Sequence, residues 1–122
     1  MSVQLFDVST AALEKAMAGA SLRQELIANN LANVNTPGYQ RVDVDFHSAL
    51  AAALDQGATT SQVDAISFSP TTDTSGVTRL DGSTVDVDRE MSALSENALD
   101  YETLVATLRA RFMMLQNVIT GR

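Results

Sequence analysis

The chain has no cysteine and no tryptophan, only two prolines, a single histidine and a single lysine. Each scarcity removes a class of answer. Without cysteine there is no disulfide framework and no thiolate metal site, although the redox compartment stays open, since cytosolic and exported proteins alike can lack it. Eight basic residues stand against fifteen acidic ones, for a net charge of −7, and Lys15 is the one lysine. Phosphate contacts need clustered Lys and Arg, so nucleic acid is not an expected partner, and neither is an anionic membrane surface. No run reaches the roughly 18 apolar residues of a membrane span. The opening MSVQLFDVSTAALEKA has neither a basic start nor a continuous apolar stretch, so export, if it occurs, is expected without a cleaved signal peptide. Aromatic residues are few, yet hydrophobic content is 45% of 122 residues. Leu, Ala, Val and Met must carry the burial, which suits helix-on-helix packing in one small domain.

What is present begins with helical spacing. From about Thr10 to Asn33, the residues Leu13, Met17, Ala20, Ile27, Leu31 and Val34 fall on three- and four-residue steps, interrupted by Gln24. Ser9 or Thr10 is a suitable N-cap, and Gly19 weakens the helix by about 1 kcal/mol relative to Ala. The stop is explicit. Thr36 precedes a proline and is driven to an extended conformation, Pro37-Gly38 supplies the centre of a type II turn, and Asn33 or Asn35 suits a left-handed C-terminal cap. Val42, Val44 and Phe46 then alternate with Asp43 and Asp45 in a short extended stretch. Phe46, Leu50 and Leu54 follow as a helix of two to three turns, capped by Asp45. Of residues 55–84, twenty are Ser, Thr, Gly, Pro or Asp. That segment cannot offset its own ordering entropy and reads as a linker, a small irregular hairpin or a segment ordered by its neighbours.

The C-terminal segment has the strongest pattern. Val87, Met91, Leu94, Ala98, Tyr101, Val105, Leu108, Phe112, Leu115 and Ile119 follow alternating steps of four and three without a break. This predicts a coiled-coil seam on a helix ~50 Å long. Acidic residues (Asp86, Asp88, Glu90, Glu96, Asp100, Glu102) dominate its first half and Arg109, Arg111 and Arg122 its second, complementing the helix dipole. Ser83 with Asp86 matches a capping box, and Asp86 itself suits the N-cap. Leu99, Leu104, Met113, Met114 and Val118 lie off the seam, more apolar surface than a two-helix hairpin covers, which implies packing against other chains. The expected fold is mainly α. Residues 1–34 and 85–122 form the two helices of a coiled-coil core. Residues 35–54 form the turn, extended stretch and short helix, and residues 55–84 an irregular Ser/Thr/Gly-rich linker or small lobe.

No constellation points to catalysis. The repeated VDVD at 42–45 and 85–88 lacks the spacing of a calcium loop, so no metal is expected. His47 has no nucleophile in a recognisable motif beside it. Met91, Met113 and Met114 sit on or beside the seam, where adaptable packing accounts for them. The expectation is a non-enzyme without cofactor. The unexplained feature is amide: Asn29, Asn30 and Asn33 form one polar face at the end of the first helix. A buried amide there would fix register; a solvated one would merely cap the helix.

These residues also resemble a known family. Asn30-Leu31-Ala32-Asn33, Thr36, Gly38-Tyr39 and Arg41 are similar to the N-terminal signature of bacterial flagellar rod and hook proteins. The runs 22–46 and 81–112 resemble its small proximal rod members, with 55–80 the least alike. Asn35 stands where the family commonly has an acidic residue and Gln40 where it has a basic one. The resemblance implies a structural subunit of the periplasmic rod of the flagellar basal body, assembling by helix packing into the axial tube and transmitting torque. Implied partners are other copies of itself, other rod proteins, the MS-ring protein, the rod-to-ring adaptor and the flagellar export apparatus. The signature Asn29, Asn30, Leu31, Ala32, Asn33, Thr36, Pro37, Gly38, Tyr39 and Arg41 then becomes a candidate assembly element. The competing reading is a soluble cytoplasmic helical adaptor or secretion chaperone, which acidic charge and small size also fit.

Overall fold

A computed structural model describes residues 2–121, and Arg122 lies outside the described residues. Two long helices, α1 (Ser2–Ala32) and a C-terminal helix of 34 residues, frame the chain. Between them come β1 (Val42–Asp43), α2 (Phe46–Asp55), α3 (Thr60–Asp64) and β2 (Thr71–Thr72), and the C-terminal helix, α4, spans Val87–Thr120. The long helices are antiparallel: Phe6 lies under Arg111, Ala20 meets Asn97 and Asn30 meets Glu90. β1 and β2 form a two-stranded antiparallel ladder, Val42 opposite Thr72 and Asp43 opposite Thr71.

The core is built from small residues on α1. Ala11, Ala12, Ala16 and Ala20 are buried against Phe46 and Leu50 of α2 and Val63 of α3, with Val8, Ile66 and Phe68 packed at the edge. Gly19 completes this surface. A methyl group there would come within 2.5 Å of the Phe46 ring, so the glycine that weakens α1 locally is what lets α2 seat its aromatic anchor. Asp45 caps α2 by accepting from the Ser48 N–H at 3.1 Å. Thr59 and Gln62 form a capping box that starts α3.

Three sequence expectations are corrected, and the open choice for residues 55–84 is narrowed to one of its readings. α1 begins at Ser2, not near Thr10, because α4 supplies partners that extend it: Arg111 stacks 5.5 Å above the Phe6 ring. Asn33 and Asn35 are not left-handed, since among the described residues only glycines have positive φ. The helix instead tightens through hydrogen bonds from Asn33 N to both Asn29 O and Asn30 O. Ser83 does not form a capping box; its hydroxyl accepts from the Val85 N–H, and Asp86 alone caps α4. Residues 55–84 hold α3 and β2 and supply the fully buried Val63, so this segment is ordered by its neighbours.

α4 turns toward α1 a stripe adjacent to the heptad positions. Glu90, Ala93 and Asn97 are buried. Each is one residue, about 100° around the helix, from Met91, Leu94 and Ala98. Small Ala93 is buried between Glu90 and Asn97, and the Asn97 amide donates to the Ala20 carbonyl at 2.9 Å and to Gln24 Oε1 at 3.2 Å. The heptad stripe is left outward. Val87, Met91, Ala98, Tyr101, Phe112, Leu115 and Ile119 are exposed, and Leu94, Val105 and Leu108 are half-buried. On α1, Ala20 and Ile27 are buried while Leu13, Met17 and Leu31 are half-buried; Val34, just past the helix, is half-buried too.

Candidate functional site

The amide-rich end of α1 leads into the turn, and the turn into a buried ion network. Thr36-Pro37-Gly38-Tyr39 is a type II turn: the Tyr39 N–H donates to Thr36 O at 3.2 Å, with Gly38 at φ 75°. A second turn faces it. Gly38 N donates to Asp81 O at 2.8 Å, Thr84 N to Tyr39 O at 3.1 Å, and the Gln40 side chain to Gly82 O at 2.9 Å. Gly82 has φ 85°, and a methyl group on it would meet the Gly38 Cα at 3.3 Å. The two glycines therefore let the turns touch backbone to backbone. Arg79 reaches back to the Val34 carbonyl and ties the second turn to the end of α1.

The asparagines divide by role. Asn33 is a cap: its amide donates to Asn29 O at 2.8 Å, and its side-chain oxygen accepts from the Thr36 hydroxyl at 3.1 Å. Asn29 and Asn35 are exposed, as are Ala32, Thr36, Pro37 and Gly38. Asn30 is fully buried. Its amide nitrogen donates to Val42 O at 2.9 Å and to Glu90 Oε2 at 3.3 Å, while its oxygen accepts from Val42 N at 3.1 Å. The side chain thus pairs with both backbone groups of β1 as a neighbouring strand would. Asn30 was expected at a subunit contact; its hydrogen-bonding groups are instead engaged within its own chain.

Arg41 is the other signature residue turned inward. Its guanidinium contacts Glu90, lies 2.8 Å from Asp73 Oδ2 and 3.1 Å from Asp43 Oδ2, and its backbone N–H donates to Thr84 Oγ1 at 2.8 Å. Arg23 holds the outer side of Asp43 at 3.1 Å, and Arg89 the outer side of Asp73 at 2.6 Å. Three arginines thus meet three carboxylates. Arg41 and Glu90 are essentially sealed from solvent, a burial tolerated only because the charges are paired and hydrogen-bonded. Desolvation opposes the Arg41 charge, but its hydrogen bond to Glu90 and the charges of Glu90 and Asp43 raise its pKa above the ordinary value. Burial likewise opposes ionisation of Asp43, yet the Arg23 hydrogen bond, the Val44 N–H and the two arginine charges lower its pKa on balance. The hydroxyl and N–H of Ser75, then the charges of Arg89 and Arg41, hold Asp73 at about 2 against its partial burial.

The network joins α1, β1, the loop after β2 and the start of α4 into one rigid corner. Sequence reading found Asn30 and Arg41 but missed Glu90, Asp73 and Asp43 as their counterparts, and missed Asn97 as the partner of Ala20. An isolated arginine among the valines of 41–44 was the available signal. A shallow polar cleft lies beside the network, lined by Asp43, Asp45, His47, Thr71, Asp73 and Glu96 among others. His47 sits at its rim, 3.0 Å from Asp100 and largely exposed. The arrangement offers rigidity and a surface, with every charge of the network paired.

Comparison with known proteins supports the same direction. Residues 12–40, which hold the asparagines and the turn, match the family described as flagella basal body rod protein. The flagellar basal body rod protein FlgB of Bacillus subtilis is 35% identical, over 98% of both chains. Its Escherichia coli namesake is 32% identical over 80% of this chain and 82% of its own. The Aeromonas hydrophila protein is 31% identical over 95% and 96%.

Proposed function

The chain belongs to the flagellar basal body rod protein family and is a structural subunit of that rod, a premise from which we propose how it acts. The carrying observation is the outward heptad stripe of α4. Among the described residues most large exposed hydrophobics lie on this helix, and on the stripe itself Met91 is 50%, Phe112 50% and Ile119 82% exposed. Apolar patches of this extent on one element mark an interaction surface. The corner built on Arg41 holds the helices and the turn in one geometry, and the α4 stripe takes neighbouring subunits. The role is packing rather than catalysis, with no cofactor.

The resemblance of 22–46 and 81–112 to small proximal members supports a place at the base of the rod. There the chain would join the MS ring to the rest of the axial tube and pass torque along it. Its partners would be further copies, other rod proteins, the MS-ring protein and the rod-to-ring adaptor. It would reach the periplasm through the flagellar export apparatus without signal cleavage. Among the described residues no helix is long and apolar enough to cross a membrane. The adaptor or chaperone alternative is not favoured, because full-length relatives are rod proteins.

The test is Phe112→Asp with Leu115→Asp. Both side chains are exposed in the isolated chain, so its unfolding midpoint in urea should be unchanged while the variant disappears from purified basal bodies and motility is lost. Normal incorporation would refute the role of the stripe.

A further inference from the structure

The chain's reactive sulfur is gathered on one helix. With no cysteine and no tryptophan, the methionine thioethers are the groups that a peroxide oxidises first. Among the described residues no methionine is buried. Met17 is half-buried on α1, and the other three, Met91, Met113 and Met114, lie on α4 and are exposed by half or more. The alanine core holds no sulfur, and neither does the corner around Arg41. Met91 is a member of the outward stripe. Met113 follows Phe112 and Met114 precedes Leu115, so the two flank its last turns on opposite sides. Met113 also shares a shallow apolar groove with Met17, Val105, Leu108 and Phe112. The atoms open to oxidation are thus separate from those that hold the fold, and they lie where a neighbour would pack.

We propose that Met91, Met113 and Met114 form a modification site through which hydrogen peroxide withdraws the free subunit from assembly without unfolding it. The inference rests on the rod-subunit reading above and adds a regulation to the stripe. In the reaction a thioether lone pair attacks one peroxide oxygen. A sulfur–oxygen bond forms and the oxygen–oxygen bond breaks. The departing hydroxide takes the proton of the transferred hydroxyl and leaves as water. The sulfur is oxidised to a sulfoxide and the peroxide is reduced, so no catalytic side chain is needed. The sulfoxide is a strong acceptor with no hydrogen to donate. On the exposed face of the isolated chain it is solvated, and the fold is untouched. In an apolar contact it has no donor, and its burial is opposed. A sulfoxide reductase would restore the thioether. Assembly acts in the opposite direction, because a covered sulfur is shielded from peroxide.

The isolated chain and purified basal bodies are treated with hydrogen peroxide, and each methionine is followed by mass spectrometry of its peptides. In the isolated chain Met91, Met113 and Met114 should each gain one oxygen, and the urea midpoint should stay that of the untreated chain. In basal bodies the same three should be spared. A peroxide pulse given to cells during rod growth should then lower incorporation of newly made chain by about tenfold, the loss of roughly one buried methionine contact. The triple variant Met91→Leu, Met113→Leu and Met114→Leu, measured against its own untreated level, should show no such fall. Equal oxidation in the isolated and assembled chain, a lowered urea midpoint, or an equal fall in the leucine variant would each overturn the proposal. The first comparison uses the unaltered chain, so it decides the matter even where the leucine variant assembles poorly. Absence of the untreated parent chain from basal bodies would instead refute the rod reading, and this inference with it.

Discussion

Replacing Asn30 with alanine separates an amide that holds its own chain from one that holds a neighbour. The substitution gains about 0.6 kcal/mol of helix propensity in α1. Against this it removes two hydrogen bonds to Val42 and one to Glu90. A neutral bond contributes about 1 kcal/mol net and one to a charged group about 1.5–3 kcal/mol. The Glu90 contact, at 3.3 Å, belongs at the low end, and partly buried Val42 can regain some solvation. The balance is a loss of about 2–3 kcal/mol. Asn30→Asp should cost more, since it removes both donated bonds and sets a carboxylate against the Val42 carbonyl and Glu90. Part of that excess should return in Asn30→Asp with Glu90→Gln, giving a coupling of at least about 1 kcal/mol. The assay is urea unfolding of the dilute chain followed by circular dichroism, repeated at two protein concentrations. A loss under about 0.5 kcal/mol for Asn30→Ala, smaller than the propensity gain alone, would refute the reasoning. So would a loss that appears only at the higher concentration, because the amide would then act between chains.

Gly19→Ala sets propensity against packing. The gain of about 1 kcal/mol in α1 should be outweighed by displacement of Phe46, for a net loss of about 1–3 kcal/mol by urea unfolding; a stabilised variant would show that the close approach is not required. Gly38→Ala should cost about 1–2 kcal/mol, from the left-handed backbone alone, and Gly82→Ala more, because its methyl also meets Gly38. Equal losses from the two would argue against contact between the turns. Asp73 has a folded pKa of about 2, below its ordinary value of 3.8. Its contribution is therefore complete above about pH 4 and is lost as pH falls from there toward 2. Thermal unfolding of Asp73→Asn should show a shallower acid limb than the parent, by about 1–2 kcal/mol across that range; parallel curves would contradict the assigned pKa.

Elements set by local chemistry could be read from the chain. Pro37-Gly38 specified its turn, Asp45 and Asp86 their caps, and the spacing of α1 and α4 their helical state. What could not be read was decided by contacts distant in sequence. Ala93 and Asn97, rather than Leu94 and Ala98, are buried positions of α4. Only that pairing gives the Asn97 amide its acceptors. Val63 looks like a stray hydrophobic in a polar segment until α1 is placed beside it, though Thr59 and Gln62 already marked a helix start. In the candidate site, Asn30 and Arg41 stood out by residue type in an apolar setting. Their distant partners, Asp73 and Glu90, lie 32 to 60 residues away; Glu90 carries no local mark, since an acidic residue in the first turn of a helix is explained by the helix dipole alone.

The buried corner also sets an order of events in time. Arg41 awaits Asp73 and Glu90, Asn30 awaits Glu90, and Ala20 awaits Asn97, which is 77 residues further along. A chain that appears N-terminus first holds the first member of each pair long before the second. Until α4 begins to emerge, Asn30 lacks its carboxylate, Arg41 lacks Glu90 and the Ala20 carbonyl lacks its amide donor. Long loops must close before any of these contacts repays the ordering, which favours late, all-or-none folding. The corner that ties these elements together is therefore completed only when the last third of the chain arrives.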